Sequence, residues 1–191
     1  MLRLLDLVFS ITGLVLGAPV LLSIYVVGLF DTGSPLFRQE RVGRDQRPFT
    51  LVKFRTMRPD TASVASHLAD ASAITPLGAF LRRSKLDELP QLWNVLKGEM
   101  SLVGPRPLLM EYLPLYSAEQ ARRHEMRPGI TGWSQITGGY AASIEDSRLK
   151  LEYDLFYLQY MSPRFDLVIL FRTWMTVLAG REFVRKQTHL G

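Results

Sequence analysis

"KLDELPQLWNVLKGEMSLVGPRP", residues 85–107, places two adjacent carboxylates, Asp87 and Glu88, shortly before Pro90 and holds Arg106 between two prolines. Proline is tolerated at the start of a helix and not in its interior, so Pro90 predicts a helix that begins here. Gly98 is a typical C-terminal cap for it. The pair is therefore predicted at the mouth of a helix whose packing face contains Leu89, Leu92, Trp93, Val95 and Leu96.

The carboxylate pair has two interpretations at this point. "SKLD" fits a helix N-cap, which stabilises a helix by about 1 kcal/mol and implies no chemistry. Alternatively, the positive end of the helix keeps the acids ionised, so that they can bind Mg²⁺ and Asp87 can act as a nucleophile. The stiff setting of Arg106 favours the second interpretation, because it suits bidentate recognition of phosphate. Further cations on separate segments are expected to converge on the same polyanion: Lys53, Arg55, Arg82, Arg83 and Arg127.

The N-terminal segment is predicted to be a membrane helix. Residues 7–30 contain no charged side chain, and 24 helical residues are about 36 Å long, enough to cross a hydrocarbon core of about 30 Å. The basic residues that follow place the rest of the chain on the cytoplasmic side. Pro19 predicts a kink. The residue pattern favours a spanning helix and leaves a re-entrant hairpin open.

A basic cluster follows this segment. Residues 38–58 hold seven basic and two acidic side chains, an excess equal to the net charge of +5 for the whole chain. Such a cluster beside an apolar segment suggests anionic headgroups or a phosphorylated substrate. With no cysteine, thiolate metal sites and thiol nucleophiles are excluded. The sequence also lacks a Walker loop, GxGxxG, HExxH and GxSxG.

The remaining chain predicts an α+β fold with short strands. "PLFRQERVG" and "FTLVKFRTM" read as two strands around a turn, and "TPLGAFLRRSKLDELPQLWNVLKG" as two helices. Residues 60–75 predict a loop or short helix, with His67 as a surface residue. "RPGITGW" reads as a rigid turn, and Ser117 with Gln120 as a capping box. Two C-terminal helices follow; the last, interrupted by Arg172, suits the membrane interface, with Trp174 near headgroup level.

Three stretches together resemble the bacterial sugar transferase family, small monotopic phosphoglycosyl transferases that include the diacetylbacillosamine-phosphate transferases. They are "LFRQERVGRDQRPFTLVKFRTM", "KLDELPQLWNVLKGEMSLVGPRPLLMEYL" and "RHEMRPGITGWSQITG", and the resemblance covers nearly the whole chain in order. It implies a membrane helix over 1–30, re-entrant and kinked at Pro19, and a cytoplasmic catalytic domain with interfacial helices over 31–191.

The resemblance also implies a reaction at the cytoplasmic face of the bacterial inner membrane. Asp87 would attack the β-phosphorus of a UDP-sugar with the help of Mg²⁺, and the phosphosugar would pass to polyprenol (undecaprenyl) phosphate, the first membrane step of glycoconjugate assembly. Glu88 would hold the metal with Asp87 or accept a proton. Substrate binding is implied for Lys53, Arg106 and Arg127, and the phosphate-binding group is expected to include the neighbouring Arg55. The expected partners are these substrates and membrane lipids, without nucleic acid.

The sequence departs from the family pattern at two places. Ala18 precedes Pro19 where the family often has serine, and "QITGGY" lacks a cation that many members have. A Mg²⁺-dependent lipid-diphosphate phosphohydrolase would use the same acids and arginines. A membrane-anchored scaffold, in which "KLDEL" is only a cap, is the non-enzymatic alternative.

Overall fold

A computed structural model describes residues 2–61, 71–138 and 144–179 of the chain; His67 lies outside them. The helices are α1 (Leu2–Thr32), α2 (Pro76–Ser84), α3 (Gln91–Lys97), α4 (Ala118–Ala121), α5 (Trp133–Thr137), α6 (Ile144–Tyr160) and α7 (Pro163–Ala179). The strands are β1 (Leu36–Val42), β2 (Pro48–Phe54), β3 (Ser101–Val103) and β4 (Gly129–Thr131). This mixture of helices with few, short strands confirms the predicted α+β class.

The apolar N-terminal segment is one continuous helix, α1, with Pro19 inside it. By length and composition α1 could cross a membrane: its most apolar window has a mean hydropathy of 2.2 and is 11% buried. The Ser23 hydroxyl donates to the carbonyl of Pro19 at 2.8 Å. It therefore does not reach the carbonyl of Val15, the one that a proline at position 19 leaves without its helical donor.

Both ends of α1 contact the same domain. At the N-terminal end, Arg3 donates to the carbonyls of Val95 (2.6 Å) and Leu96 (2.9 Å) at the C-terminal end of α3. In the same region, Asp6 accepts bonds from the hydroxyl of Ser101 and the N–H of Leu102. At the other end, Ile24 is buried against Phe54 and Leu81, and the hydroxyl of Thr75 donates to Asp31 at 2.7 Å.

Strands β1 and β2 form the predicted hairpin, paired antiparallel from Leu36↔Phe54 to Val42↔Pro48. Directly opposite residues share one face of a sheet, so the odd-numbered residues of both strands lie together. Phe49 and Leu51 on this face pack against Val95 and Met100. The same face carries Arg41 and Lys53 and thereby positions two cations next to the core.

Helices α2 and α3 are confirmed, and Gly98 caps α3 in the left-handed conformation with φ 85°. Pro90 directly precedes α3. The predicted packing face is right for Leu92 and Val95, which are buried, and wrong for Trp93, which is 56% exposed. Asn94 takes the buried place instead: its amide donates to the carbonyl of Thr50 and to Glu99, and its oxygen accepts the N–H of Val52. A polar side chain thus joins α3 to β2 where periodicity suggested apolar contact alone.

The interpretation of "RPGITGW" as a rigid turn is wrong in part, because Gly129–Thr131 forms strand β4, parallel to β3. The backbones approach so closely that a Cβ at Gly129 would lie 2.1 Å from the nitrogen of Gly104. The predicted capping box of Ser117 and Gln120 at α4 is confirmed. Two helices follow as predicted, α6 and α7, and Tyr157 and Ile169 from them are buried against Val103.

The exposed surface of the two C-terminal helices is rich in apolar side chains. On α6, Tyr157 is buried while Phe156 and Tyr160 are exposed, so the aromatic residues of this helix divide between the core and the surface. On α7, Trp174 is exposed and the Arg172 guanidinium lies 5.5 Å from the centre of the Trp133 ring. Further exposed apolar residues of α7 are Leu167, Val168 and Phe171.

Candidate active site

The carboxylate pair lies in a short 3-10 turn, Leu86–Glu88, between α2 and α3. Lys85, in the left-handed conformation with φ 62°, ends α2 and redirects the chain into this turn. The side chain of Asp87 makes no capping hydrogen bond to α3, so the prediction of an N-cap is wrong. The Asp87 Oδ1 atom is buried and has no hydrogen-bond partner among the described residues.

Burial changes the acidity of Asp87. The residue is 6% exposed, and this burial, followed by the negative charge of Glu88, raises the pKa of Asp87 from 3.8 to about 6. Lys53, Lys85 and Arg82 act in the opposite direction and favour the carboxylate. A buried carboxylate with a free oxygen and cations nearby has the properties of a nucleophile or a metal ligand.

Lys53 is the cation that β2 brings toward this pair. Burial and then the charge of Arg106 lower the pKa of Lys53 to about 8, against the attraction of Asp87 and Glu88. Its ammonium lies 5.3 Å from the centre of the Phe37 ring, on the opposite strand position. Near neutral pH Lys53 is therefore still protonated and able to bind an anion.

Arg106 lies opposite the pair, as the sequence predicts. Its Nη1 is 3.6 Å from Glu88 Oε1, and its side chain is 55% exposed while that of Glu88 is 15% exposed. The acidic-pair cleft, as we name it, is lined by Arg41, Leu51, Lys53, Glu88, Gln91, Arg106, Pro107 and Gly129. The cleft combines an ionisable acid with three cations that come from different segments.

Arg41 is a component of this cleft that the sequence reasoning missed. Its Nη1 donates to the carbonyl of Pro107 at 3.2 Å, and burial, then Arg106, lowers its pKa to about 10. The strand pattern contained a signal for Arg41. Once the hairpin register is known, Arg41 is an odd-numbered residue of β1 and therefore lies on the same face as Lys53.

Two of the predicted phosphate-binding residues lie elsewhere. Arg55 donates to the carbonyl of Ser34 at 2.8 Å and lies over the Phe37 ring. Arg127 donates to the carbonyl of Gly98 at 2.8 Å and lines a second cleft, the Arg127 cleft, of about 200 Å³, with Gly43, Arg44, Asp45, Arg47, Phe49, Gly98 and Glu99. Of the other predicted cations, Arg82 donates to Thr56 at 2.8 Å and lies near enough to Asp87 to favour its ionised form.

The acidic pair suits Mg²⁺. Within the described ranges no three histidine, cysteine or acidic residues gather as a complete metal site. Mg²⁺ does not need one, because it commonly binds to one or two carboxylates, several waters and the phosphates of a substrate. The unpartnered buried Oδ1 of Asp87, with Glu88 next to it, is a donor set of this kind.

Comparison with known proteins gives a consistent result along the chain. Residues 1–180 match the family model described as bacterial sugar transferase. The chain is 47% identical over 189 residues to a Bacillus subtilis (strain 168) protein called uncharacterized sugar transferase EpsL, with 98% of this chain and 92% of the relative covered.

Two further relatives carry names that state a reaction. A UDP-glucose:undecaprenyl-phosphate glucose-1-phosphate transferase of Caulobacter vibrioides is 41% identical over 92% of this chain and 69% of its own length. A UDP-N-acetylgalactosamine-undecaprenyl-phosphate N-acetylgalactosaminephosphotransferase of Aeromonas hydrophila is 37% identical over 92% of this chain. The chain spans only 43% of that second relative, so the similarity covers one part of a longer protein.

Proposed function

Because this chain belongs to the bacterial sugar transferase family, we propose that it transfers a sugar phosphate from a UDP-sugar to polyprenol phosphate, such as undecaprenyl phosphate, and releases UMP. The names of the relatives from Caulobacter and Aeromonas support this reaction class. The observation that carries the proposal is the Asp87 carboxylate, which is buried, has an oxygen without a partner and lies near Lys53 and Arg82. A structural cap would have used that oxygen.

In the first step Asp87 is the nucleophile. One carboxylate oxygen attacks the β-phosphorus of the UDP-sugar, and the bond from that phosphorus to the oxygen bridging it to the α-phosphate breaks. UMP leaves with the bridging oxygen, and the phosphosugar remains as an acyl phosphate on Asp87. Lys53 and Arg106 balance the negative charge that gathers on the phosphates.

In the second step the lipid takes the phosphosugar. An oxygen of polyprenol phosphate attacks the phosphorus, the bond to the Asp87 oxygen breaks, and polyprenyl diphosphate sugar forms with the carboxylate regenerated. Arg106 suits both steps, because its guanidinium is exposed to the cleft while Glu88 holds it from one side. Two displacements at one phosphorus need one anion site only, and the cations Arg41, Lys53 and Arg106 that line the acidic-pair cleft support this cleft as that site.

Asp87 and Glu88 are the residues that would hold Mg²⁺. When bound, the ion supplies neutralisation of the phosphate charge and polarisation of the phosphoryl oxygens. It would also favour the ionised form of Asp87 against the burial that now raises the pKa of this group.

The same proposal places the domain at the cytoplasmic face of the inner membrane, with α1 re-entrant. A helix of 31 residues is about 46 Å long. If it spanned a bilayer, Arg3 and Asp31 would lie on opposite sides, yet both contact one domain. This geometry supports a helix that enters and leaves the same face, against the expectation from apolar length alone.

Release of UMP from a panel of UDP-sugars, with polyprenol phosphate and Mg²⁺, tests the reaction. We expect UMP and a polyprenyl diphosphate sugar in equal amounts, and in the absence of lipid one UMP per protein with phosphosugar attached to Asp87. Inorganic phosphate released from a lipid diphosphate without any UDP-sugar would instead show a phosphohydrolase.

The topology is tested with a cysteine placed at position 2 and a membrane-impermeant thiol reagent in intact cells. A re-entrant helix leaves this cysteine unlabelled until the membrane is opened. Labelling from outside would show that α1 spans the membrane.

A further inference from the structure

The backbone around Arg106 is held by three separate donors. The carbonyls of residues 105, 106 and 107 accept, in that order, the N–H of Gly129 at 2.9 Å, Nη2 of Arg123 at 3.1 Å and Nη1 of Arg41 at 3.2 Å. Two of these donors are arginine side chains. Since residues 105 and 107 are prolines and have no N–H of their own, side-chain donors are an effective means to fix this turn.

Arg123 is a charged residue that the proposed chemistry does not use. It is 5% exposed, and its Nη2 lies 2.6 Å from Oδ2 of Asp154 on α6, which is equally buried. Ser134 on α5 donates to the other oxygen of Asp154, also at 2.6 Å. A buried ion pair needs hydrogen bonds of this kind to balance the loss of hydration, although the buried Nε of Arg123 has no partner among the described residues.

The same guanidinium nitrogen contacts both Asp154 and the carbonyl of Arg106. Asp154 therefore determines where Arg123 can lie, and Arg123 determines where the Arg106 backbone can lie. The planar guanidinium donates its N–H groups in fixed directions, whereas a lysine ammonium is a compact, rotatable charge on a flexible stem, so lysine is not an equivalent replacement.

We propose that Arg123 and Asp154 are positioning residues for the sugar-phosphate transfer, acting through the backbone of Arg106 to direct its guanidinium into the acidic-pair cleft. This inference rests on the proposed function for its catalytic part. Among the described residues, α5 and α6 contribute none to the lining of that cleft. The inference gives these two helices a role in orienting the phosphate-binding group.

The variant that tests the proposal is Arg123→Lys, with Arg122→Lys as its matched control. Arg122 is the sequence neighbour but lies at the surface, 51% exposed, between Glu119 and Glu125. We expect Arg123→Lys to lower kcat/KM for the UDP-sugar by about tenfold, at the low end of the losses seen when a group that orients a metal ligand is removed. Arg122→Lys is expected to leave it unchanged.

A double-mutant cycle separates positioning from simple support of the fold. If Arg123 acts through Arg106, Arg123→Lys has almost no further effect on kcat/KM in the Arg106→Ala background. The same tenfold loss in both backgrounds would show that Arg123 serves the fold alone and would overturn the proposal.

Amide hydrogen exchange of Gly104, Arg106 and Leu108, the residues of this turn that have an N–H, gives a readout independent of turnover. We expect Arg123→Lys to speed exchange there and Arg122→Lys not to; unchanged exchange in Arg123→Lys would overturn the inference.

Should Arg123→Lys fail to fold, Ser134→Ala, which removes one bond to Asp154, is expected to show the same changes to a smaller degree, and normal kinetics and exchange would reject the proposal. A wild-type protein that released no UMP would refute the proposed function, and exchange would then decide the inference alone.

Discussion

The acidic-pair cleft and the Arg127 cleft flank the same core face of β2, and both contain several basic residues. They differ in how their charges are satisfied. In the Arg127 cleft the acids are paired: Arg44 lies 3.5 Å from Asp45, and Glu99 binds Lys97 and the amide of Asn94. The acid that lines the acidic-pair cleft is Glu88, which lies 3.6 Å from Arg106. Its neighbour Asp87 has a buried oxygen without a partner among the described residues, and the pKa values of Asp87 and Lys53 shift toward neutrality.

The wider cleft is not the one that we propose as the active site. The Arg127 cleft measures about 200 Å³ and the acidic-pair cleft about 20 Å³, yet the narrow one is lined by Lys53, whose pKa burial lowers to about 8, and lies beside the buried Asp87. Burial without full compensation is costly, and such uncompensated groups concentrate at functional sites. The number of cations along the sequence therefore does not distinguish the two clefts, whereas the burial of their charged groups does.

The largest expected effect comes from Asp87. We expect Asp87→Asn to lower UMP release by about 10³-fold or more, because an amide cannot act as the nucleophile. Lys97→Ala on the neighbouring helix serves as the control and should retain nearly full activity. If Asp87→Asn released UMP at the wild-type rate, the nucleophile would lie elsewhere.

The contrast between the clefts is tested by removing one arginine from each. Arg106→Ala is expected to reduce kcat/KM for the UDP-sugar by about 10²-fold, the usual loss for one preorganised donor. Arg127→Ala should reduce it less than about tenfold, because Arg127 caps the C-terminal end of α3 and lies outside the acidic-pair cleft. Equal losses in steady-state assays would show that residues of both clefts contact the substrate.

The pH dependence of kcat/KM is expected to be bell-shaped. Asp87 must be ionised to attack, so activity falls about tenfold per pH unit below the pKa of Asp87, about 6 in the free protein and lower with Mg²⁺ bound. Lys53 must be protonated to bind phosphate, so activity also falls above its pKa of about 8. Lys53→Arg should extend the active range to higher pH; an unchanged alkaline limit would assign it to another group.

The smallest effect concerns stability without metal. The pKa of Asp87 is raised in the folded protein from 3.8 to about 6. The folded protein is therefore most stable below about pH 4, where Asp87 is neutral, and it loses this stability as the pH rises through 6. Two pKa units correspond to about 3 kcal/mol. Asp87→Asn should therefore raise the unfolding temperature at pH 8 in EDTA by several degrees.

This gain in stability has two internal controls. It should become small below about pH 3, where Asp87 is largely protonated in both states. It should also shrink when Mg²⁺ is added, because the metal stabilises only the wild-type carboxylate. A gain that did not depend on pH would show that the carboxylate is not the cause.

The helices and the hairpin were predictable from the sequence because their signals are local. Pro90 and Gly98 mark the two ends of α3. Alternation on both sides of the turn at residues 43–47 marks β1 and β2, and Ser117 with Gln120 marks the start of α4. The pairing of β3 with β4 was not predictable from the sequence, since each strand has three residues and takes its stability from a parallel partner about 28 residues away. The exposure of Trp93 was not predicted either, because helical periodicity does not show that the polar Asn94 takes the buried position.

The candidate site divides in the same way. Asp87, Glu88 and Arg106 were found from residue type and from the prolines around them, and Lys53 from a motif. Arg41, Arg123 and Asp154 were missed because their importance arises from contacts across distances of 17 to 66 residues in the chain. Arg127 stands in a recognisable motif, but the fold turns its side chain toward Gly98.

The sequence by itself determined that a long apolar helix, suited by length to a membrane, precedes an α+β domain, and it singled out an acid pair and a proline-bound arginine as the candidate site. These features depend on apolar length, on proline geometry and on residue type, which are local properties. Only the tertiary structure decided that Asp87 is a buried acid with one oxygen unpartnered among the described residues, and not a helix cap, and that both ends of α1 meet one domain. Burial and long-range contact depend on how distant segments pack, and no short stretch of the chain contains that information.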